Sequence, residues 1–410
     1  MNRKIISLFL ASALMLSACG SNPAAESETV GTSGGEGSGV YYEITGVNPD
    51  ETVLVLDGVE IPAELYCYWS AFNCSALEYQ VKMFHDYFGM YDEIVQDDGT
   101  IDWSAQFPSS NMTMSQYAKE MTEDTVFFYA SIENMAKKYG VELTEEDQKA
   151  IEEERKSMAE SLGGEEAFDS YLQETGLSLE NLQRVMATTS LLDGLVKLAG
   201  EEGSEIYLPK ENYSDYMMYN DYIMLLKDTA AEGEETEEQT DKKALAEDLL
   251  AQLKAAEDLP ATFLKLAEEN TEDTQRAEGQ DGYFYAPSSM PESFEKAAAE
   301  LAPGELSDVV ETDSAYYIIL GKSLEEGLEA NPEQVSQLLQ TYVVQLADEY
   351  QENMKVERKG DLTNLDLGDF YEQYLEKMNA NAVDNAVQTL EGQTEGEAAS
   401  QEAEEAPAAE

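Results

Sequence analysis

Few side chains in this sequence could do covalent or metal chemistry. Its 410 residues hold three cysteines and one histidine. Cys19 follows Leu16-Ser17-Ala18. Small residues before a cut let the chain enter a peptidase site, and a thiol left at the new end can take a diacylglycerol chain. Cys67 and Cys74 lie seven apart in a segment that reads as helix, so they share a face. Their α-carbons would be about 10 Å apart, too far for a disulfide, and the pair reads as buried small hydrophobes. No Cys-x-x-Cys occurs and His85 stands alone, so structural zinc has no ligand set. Asp228 to Asp241 holds seven acids and no base. It lacks the alternating oxygen ligands of a calcium loop and reads as a solvated insertion. No metal or other cofactor is expected.

The elements that must position these residues follow from composition and periodicity. Arg3 and Lys4 precede a mostly apolar run, Ile5 to Leu16, too short to span a bilayer as a mature helix. With Leu16-Ser17-Ala18-Cys19 it resembles the lipobox of bacterial lipoproteins. Residues 1–18 are then a signal peptide, and 19–45 a lipidated cysteine followed by a flexible linker. Two acyl groups would be needed for stable anchoring. Residues 46–218 read as a helical lobe, opened by a hairpin Val53 to Ile61 around Asp57-Gly58. Pro62 starts its first long helix, Gln116 to Lys138 forms a second, and Thr144 caps a third. The pattern changes at 219–324. A strand at Tyr222 to Leu226, two helices, a turn Gly279 to Gly282 into a strand, a short helix and strands at 306–310 and 315–320 make an α+β unit. Residues 325–390 return to long amphipathic helices, including Asn331 to Val356, that complete the lobe. Residues 391–410 form a disordered acidic tail. The fold class is α+β: a lobe built from both ends of the chain, with the middle unit inserted.

Lys and Arg total 24 against 85 Asp and Glu, a net charge of −61. Such a field repels nucleic acid and anionic headgroups and makes both poor partners, so no nucleic-acid partner is expected. It attracts cationic clients or divalent cations and keeps the chain dispersed. A hydrophobic content of 42% suffices for real cores.

The inserted unit resembles a parvulin-type peptidyl-prolyl isomerase. The resemblance rests on Phe263-x-x-Leu266-Ala267, Thr271-Glu272-Asp273-Thr274 and Gly279-Gln280-Asp281-Gly282-Tyr283-Phe284. It continues through Met290-x-x-x-Phe294-Glu295, Leu301-x-x-Gly304-Glu305-Leu306-Ser307 and Tyr316-Tyr317-Ile318-Ile319-Leu320. The whole chain is similar to PrsA-like foldase lipoproteins and SurA-like periplasmic chaperones, which carry a helical lobe around such a domain. The resemblance implies that Met290 and Phe294, four apart on one helical face, form the proline slot. It places Asp273 beside the twisting amide and Ser314 near the end of the domain. Family members usually have two histidines under the site. This domain has none: Tyr222 or Ile223 falls at the first place and Tyr317 at the second. A tyrosine both donates and accepts a hydrogen bond, so a substitute network is chemically possible.

Three functions follow as expectations. One is a foldase held outside the cell membrane by lipid on Cys19, isomerising prolyl bonds in unfolded exported polypeptides. Another is a holdase that keeps the parvulin shape without catalysis. The third, a solute-binding lipoprotein, would need two α/β lobes and a hinge. The oligomeric state stays open, a dimer included.

Overall fold

The computed structural model describes residues 38–108, 110–227, 242–277 and 279–380. The signal peptide, Cys19, most of the linker, the acidic insertion 228–241 and the tail 391–410 lie outside them. Helices in chain order are α1 (Val40–Thr45), α2 (Ala63–Phe88), α3 (Met114–Tyr139), α4 (Glu145–Leu162), α5 (Glu165–Thr175) and α6 (Leu179–Gly200). After them come α7 (Lys242–Lys254), α8 (Leu259–Asn270), α9 (Glu292–Ala299), α10 (Leu324–Ala330) and α11 (Glu333–Asn353). A further helix, α12, covers residues 367–380. The strands are β1 (Thr52–Leu56), β2 (Val59–Pro62), β3 (Met218–Leu226), β4 (Tyr283–Tyr285), β5 (Val310–Glu311), β6 (Ala315–Gly321) and β7 (Val356–Arg358). The chain divides into two compact units. One comprises residues up to Leu195 and from Leu346 onward, the other Val196–Gln345.

In the first unit, Asp57 (φ 50°) and Gly58 (φ 91°) are both left-handed, as a two-residue hairpin turn demands, and β1 pairs antiparallel with β2. Thr113 with Gln116, and Thr144 with Asp147, form reciprocal capping boxes that start α3 and α4. Glu64, buried on α2, reaches the start of α6. Its carboxylate accepts from Ser178 N at 2.5 Å, Ser178 Oγ at 2.9 Å and Asn181 Nδ2 at 2.5 Å. Cys67 and Cys74 are buried and unbridged, and burial pushes both thiols well above their usual range.

The two ends of the chain share this unit. β7 adds to β1, giving the order β2-β1-β7. Ser115 Oγ donates to Asp366 at 2.7 Å, and Trp103 meets Tyr371 edge-on at 5.5 Å. Phe370 is fully buried. The helix expected over Asn331 to Val356 is shorter: α11 stops at Asn353, and β7 follows. Three residues are too few for strand periodicity to register; β7 exists because β1 offers it an edge.

The second unit holds a four-stranded antiparallel sheet ordered β4-β3-β6-β5. Side chains alternate across β3 and β6. Ile223, Leu225, Ile318 and Leu320 face α7 and α8, with Phe263 and Leu266 in the same core. Tyr222, Tyr317 and Ile319 face the other way and pack on Phe294 of α9. The strand expected at 306–310 is corrected: Leu306 makes an isolated bridge to Leu320, and only Val310–Glu311 pairs as a strand. This unit reaches beyond 219–324 and includes α10, which the sequence pattern did not show. There Gly327 sits against Tyr219 so closely that a Cβ would lie 2.7 Å from the ring.

Candidate active site

β3 carries the first site residue and lends its edge to the rest. Beyond Asn220, where pairing with β4 ends, that edge is covered by the loop after α8. Glu272 N donates to Met224 O at 2.8 Å, and Met224 N donates to Thr271 Oγ1 at 3.1 Å. Leu226 N donates to the Glu272 carboxylate at 2.7 Å. These bonds satisfy backbone groups that would otherwise be orphaned, and they fix where Asp273 stands.

Asp273 accepts from Tyr222 Oη at 2.9 Å and from Gln275 N at 2.9 Å. The second bond is turn chemistry; the first crosses from loop to strand. Tyr222 stacks on Tyr283 at 4.3 Å and meets Phe294 and Tyr317 edge-on at 5.5 and 5.8 Å. Of the two residues considered for the first histidine place, Tyr222 faces Asp273, while Ile223 lies in the opposite core. Burial raises the Tyr222 hydroxyl pKa well above the usual phenol range, and the bond to Asp273 raises it further. Tyr283 is pushed to about 12 by burial and then by Asp273. Tyr317 is also raised by burial, with the charge of Asp273 second. All three phenols therefore keep their protons at neutral pH and stay donors.

Phe294 is fully buried at the centre of this aromatic cluster, and Met290 packs against it half-buried. One expectation is corrected: Met290 is not on the helix. α9 begins at Glu292, and Met290 precedes it, its N donating to Glu295 Oε1 at 3.0 Å. Pro291 is the N-cap, and its ring disfavours helical backbone at the residue before it, Met290. Ser314 is exposed in the turn between β5 and β6, where its carbonyl accepts from Lys227 N at 2.8 Å. Its hydroxyl makes no hydrogen bond to Asp273 or to the tyrosines. The buried hydroxyl of that turn is Thr312, whose Oγ1 is 3.0 Å from both Ala315 N and Ala315 O.

The spacing pattern missed Asp221 and Arg276. Arg276 Nη1 donates to Asp221 Oδ1 at 2.6 Å, and its Nη2 donates to Gln280 O at 2.6 Å. Their side chains are only 3% and 1% exposed. The guanidinium also lies over the Tyr283 ring at 5.7 Å. Tyr283 Oη is buried near Asp273 and Arg276 without a well-formed hydrogen bond to either. A signal existed: Arg276 is the one base between Lys265 and Lys296, and Asp221 is the acid that begins an otherwise apolar strand segment.

Chemically the cluster offers an apolar aromatic wall, one carboxylate fixed at its margin and protonated phenols around it. It holds no activated nucleophile. That suits rotation about a prolyl amide, which needs shielding from water and relief of amide resonance but no covalent step.

Residues 223–323 match the model of the PPIC-type PPIASE (rotamase) domain. The foldase protein PrsA of Staphylococcus aureus is 27% identical over 213 residues, covering 50% of this chain. The match spans 61% of that relative's length. PrsA of Staphylococcus epidermidis is 28% identical over 264 residues, covering 62% of this chain and 76% of that relative. A crystal structure of PrsA from Bacillus anthracis aligns over 56% of this chain and 95% of its own, at 16% identity and a TM-score of 0.29. A structure described as a SurA-like chaperone of Campylobacter jejuni aligns over 75% of this chain and 100% of its own, at 16% identity and a TM-score of 0.20. Both superpositions are loose, and the domain match with the PrsA relatives carries the assignment. Residues 223–323 thus form a PPIC-type rotamase domain, and the chain is similar to PrsA foldases over about half of its length.

Proposed function

We propose that this chain is an extracytoplasmic foldase that binds unfolded exported polypeptides and isomerises their prolyl bonds. Lipid on Cys19 would hold it at the outer face of the cell membrane. Among the described residues no helix is long and apolar enough to cross a membrane. The observation that carries the catalytic reading is the hydrogen bond from Tyr222 to Asp273, with Met290 and Phe294 packed beside it. Tyr222 supplies the donor that a histidine would otherwise give, and buried Phe294 sets the floor on which Met290 can meet a proline ring. Thr312 replaces Ser314 in this reading as the hydroxyl that shapes the last turn.

A second reading, a holdase without catalysis, is favoured by one fact: the domain contains no histidine, and a high-pKa phenol moves a proton less readily than an imidazole. A protease-coupled assay with a proline-containing peptide separates the two. The full mature chain is expected to raise the cis-to-trans rate, and Asp273→Ala to return it toward the uncatalysed value. A mature chain that leaves the rate unchanged while still suppressing aggregation of an unfolded protein would establish the holdase.

A further inference from the structure

The last turns of α2 and the loop that follows carry aromatic side chains that the fold leaves uncovered. Tyr79, Tyr87 and Phe88 are 71%, 80% and 66% exposed, and Met90 is 44% exposed. Only three other large hydrophobics are comparably exposed among the described residues, and those are scattered along the chain. Single exposed apolar residues are ordinary, but a cluster marks an interaction surface. Phe84 lies 5.5 Å from Phe88 and 6.1 Å from Tyr91, so half-buried Phe84 and Tyr91 join exposed Phe88 in one aromatic surface. Aromatic rings make good anchors because they bring large contact area with few rotatable bonds.

The rim of this surface is acidic. Asp86, Asp92, Glu93, Asp97 and Asp98 are all exposed. Lys82, the one lysine or arginine between residues 78 and 98, is bound to Glu78 at 2.7 Å. His85 sits between Asp86 at 2.9 Å and Asp92 at 3.6 Å. An acidic rim around aromatic anchors attracts a cationic partner and repels anionic lipid. It also repels a second copy of a chain whose net charge is −61.

We propose that the C-terminal end of α2, with Tyr87 and Phe88 as anchors, docks extended polypeptide segments whose apolar side chains are interspersed with lysine or arginine. The proposal rests on the foldase reading for the source of such segments. It goes beyond that reading in naming the surface and the chemistry it selects.

The test uses the full mature chain and a fluorescent peptide of alternating lysine and phenylalanine, with a second peptide in which glutamate replaces every lysine. Anisotropy is expected to show binding of the lysine peptide and none of the glutamate peptide. Tyr87→Ser with Phe88→Ser should weaken that binding at least about tenfold, as loss of two central anchors does. Asp86→Asn with Asp92→Asn should weaken it less and flatten its dependence on salt. Both pairs are exposed, so thermal unfolding should match wild type. Unchanged affinity in the serine variant overturns the proposal, and so does equal binding of both peptides or no binding by wild type. If the serine substitutions instead abolish self-association in sedimentation, or flotation with phosphatidylglycerol vesicles, the surface belongs to a second copy or to the membrane. The foldase reading fails separately, if the wild-type chain neither isomerises proline nor suppresses aggregation.

Discussion

Arg276 and Asp221 form a buried ion pair at the root of the loop that carries Asp273. Removing one partner leaves the other charged in a dry site, whereas replacing both with apolar residues does not. Arg276→Met is therefore expected to destabilise the second unit by about 3–5 kcal/mol, and Arg276→Met with Asp221→Leu to recover most of that loss. Urea unfolding of the full mature chain measures both. At the same scale, Tyr222→Phe deletes the one hydroxyl bonded to Asp273 across the loop. It should slow prolyl isomerisation in the protease-coupled assay and lower stability by about 1 kcal/mol. Tyr317→Phe should do less, because Tyr317 feels Asp273 through charge alone. Tyr222, with Ile223 as its alternative, and Tyr317 could be named as candidates from the family resemblance. Arg276 could not, since its partner is 55 residues away and no local pattern links them.

Among elements, α6 is capped by its own Ser178, whose Oγ accepts from Asn181 N at 3.2 Å, and that cap is anchored from another element. Glu64 of α2 satisfies the amide of Ser178 at its start. Burial raises the Glu64 pKa above its ordinary value of 4.5, while the bonds from Ser178 and Asn181 pull it partly back. With the folded pKa above the unfolded one, the native state binds more protons between the two values. The stability this supplies is full below the unfolded pKa and is lost as pH rises through the folded one. The stability of wild type relative to Glu64→Gln should therefore fall as pH rises above the ordinary value of 4.5, which paired chemical denaturations would detect. Local caps were readable in the chain, as Thr144-Glu145-Glu146-Asp147 shows. The carboxylate that holds the capping Ser178 from 114 positions earlier was not. β7 was hidden for a similar reason: its three residues become a strand only against β1.

For the whole molecule, the first unit is closed by its last residues. Truncation after Met354 removes β7 and α12 and strips Ser115 and Trp103 of Asp366 and Tyr371. The first unit should lose its cooperative thermal transition, while a fragment of residues 196–345 keeps one, as calorimetry of the two pieces would show. Net charge acts at the same scale. With −61 on one chain, self-repulsion opposes the compact state, so added sodium chloride should raise the melting temperature until screening saturates. A melting temperature that falls with salt would show that local ion pairs outweigh the global field.

The sequence by itself determined what depends on local order and composition. Those are the hairpin at Asp57-Gly58, the capped helices, the α+β unit between two helical stretches, the expectation of export through Cys19 and the acidic field. Each is written in neighbouring residues or in a sum over all of them. Tertiary structure alone decided which side chains meet. It put Tyr222 rather than Ile223 on the Asp273 face, because strand alternation gives the two residues opposite sides of one sheet. It moved Met290 off the helix, buried Thr312 instead of Ser314, and seated Arg276 on Asp221. These outcomes depend on the register of β3 against β6 and on the loop docked along the edge of β3, contacts between residues far apart in the chain.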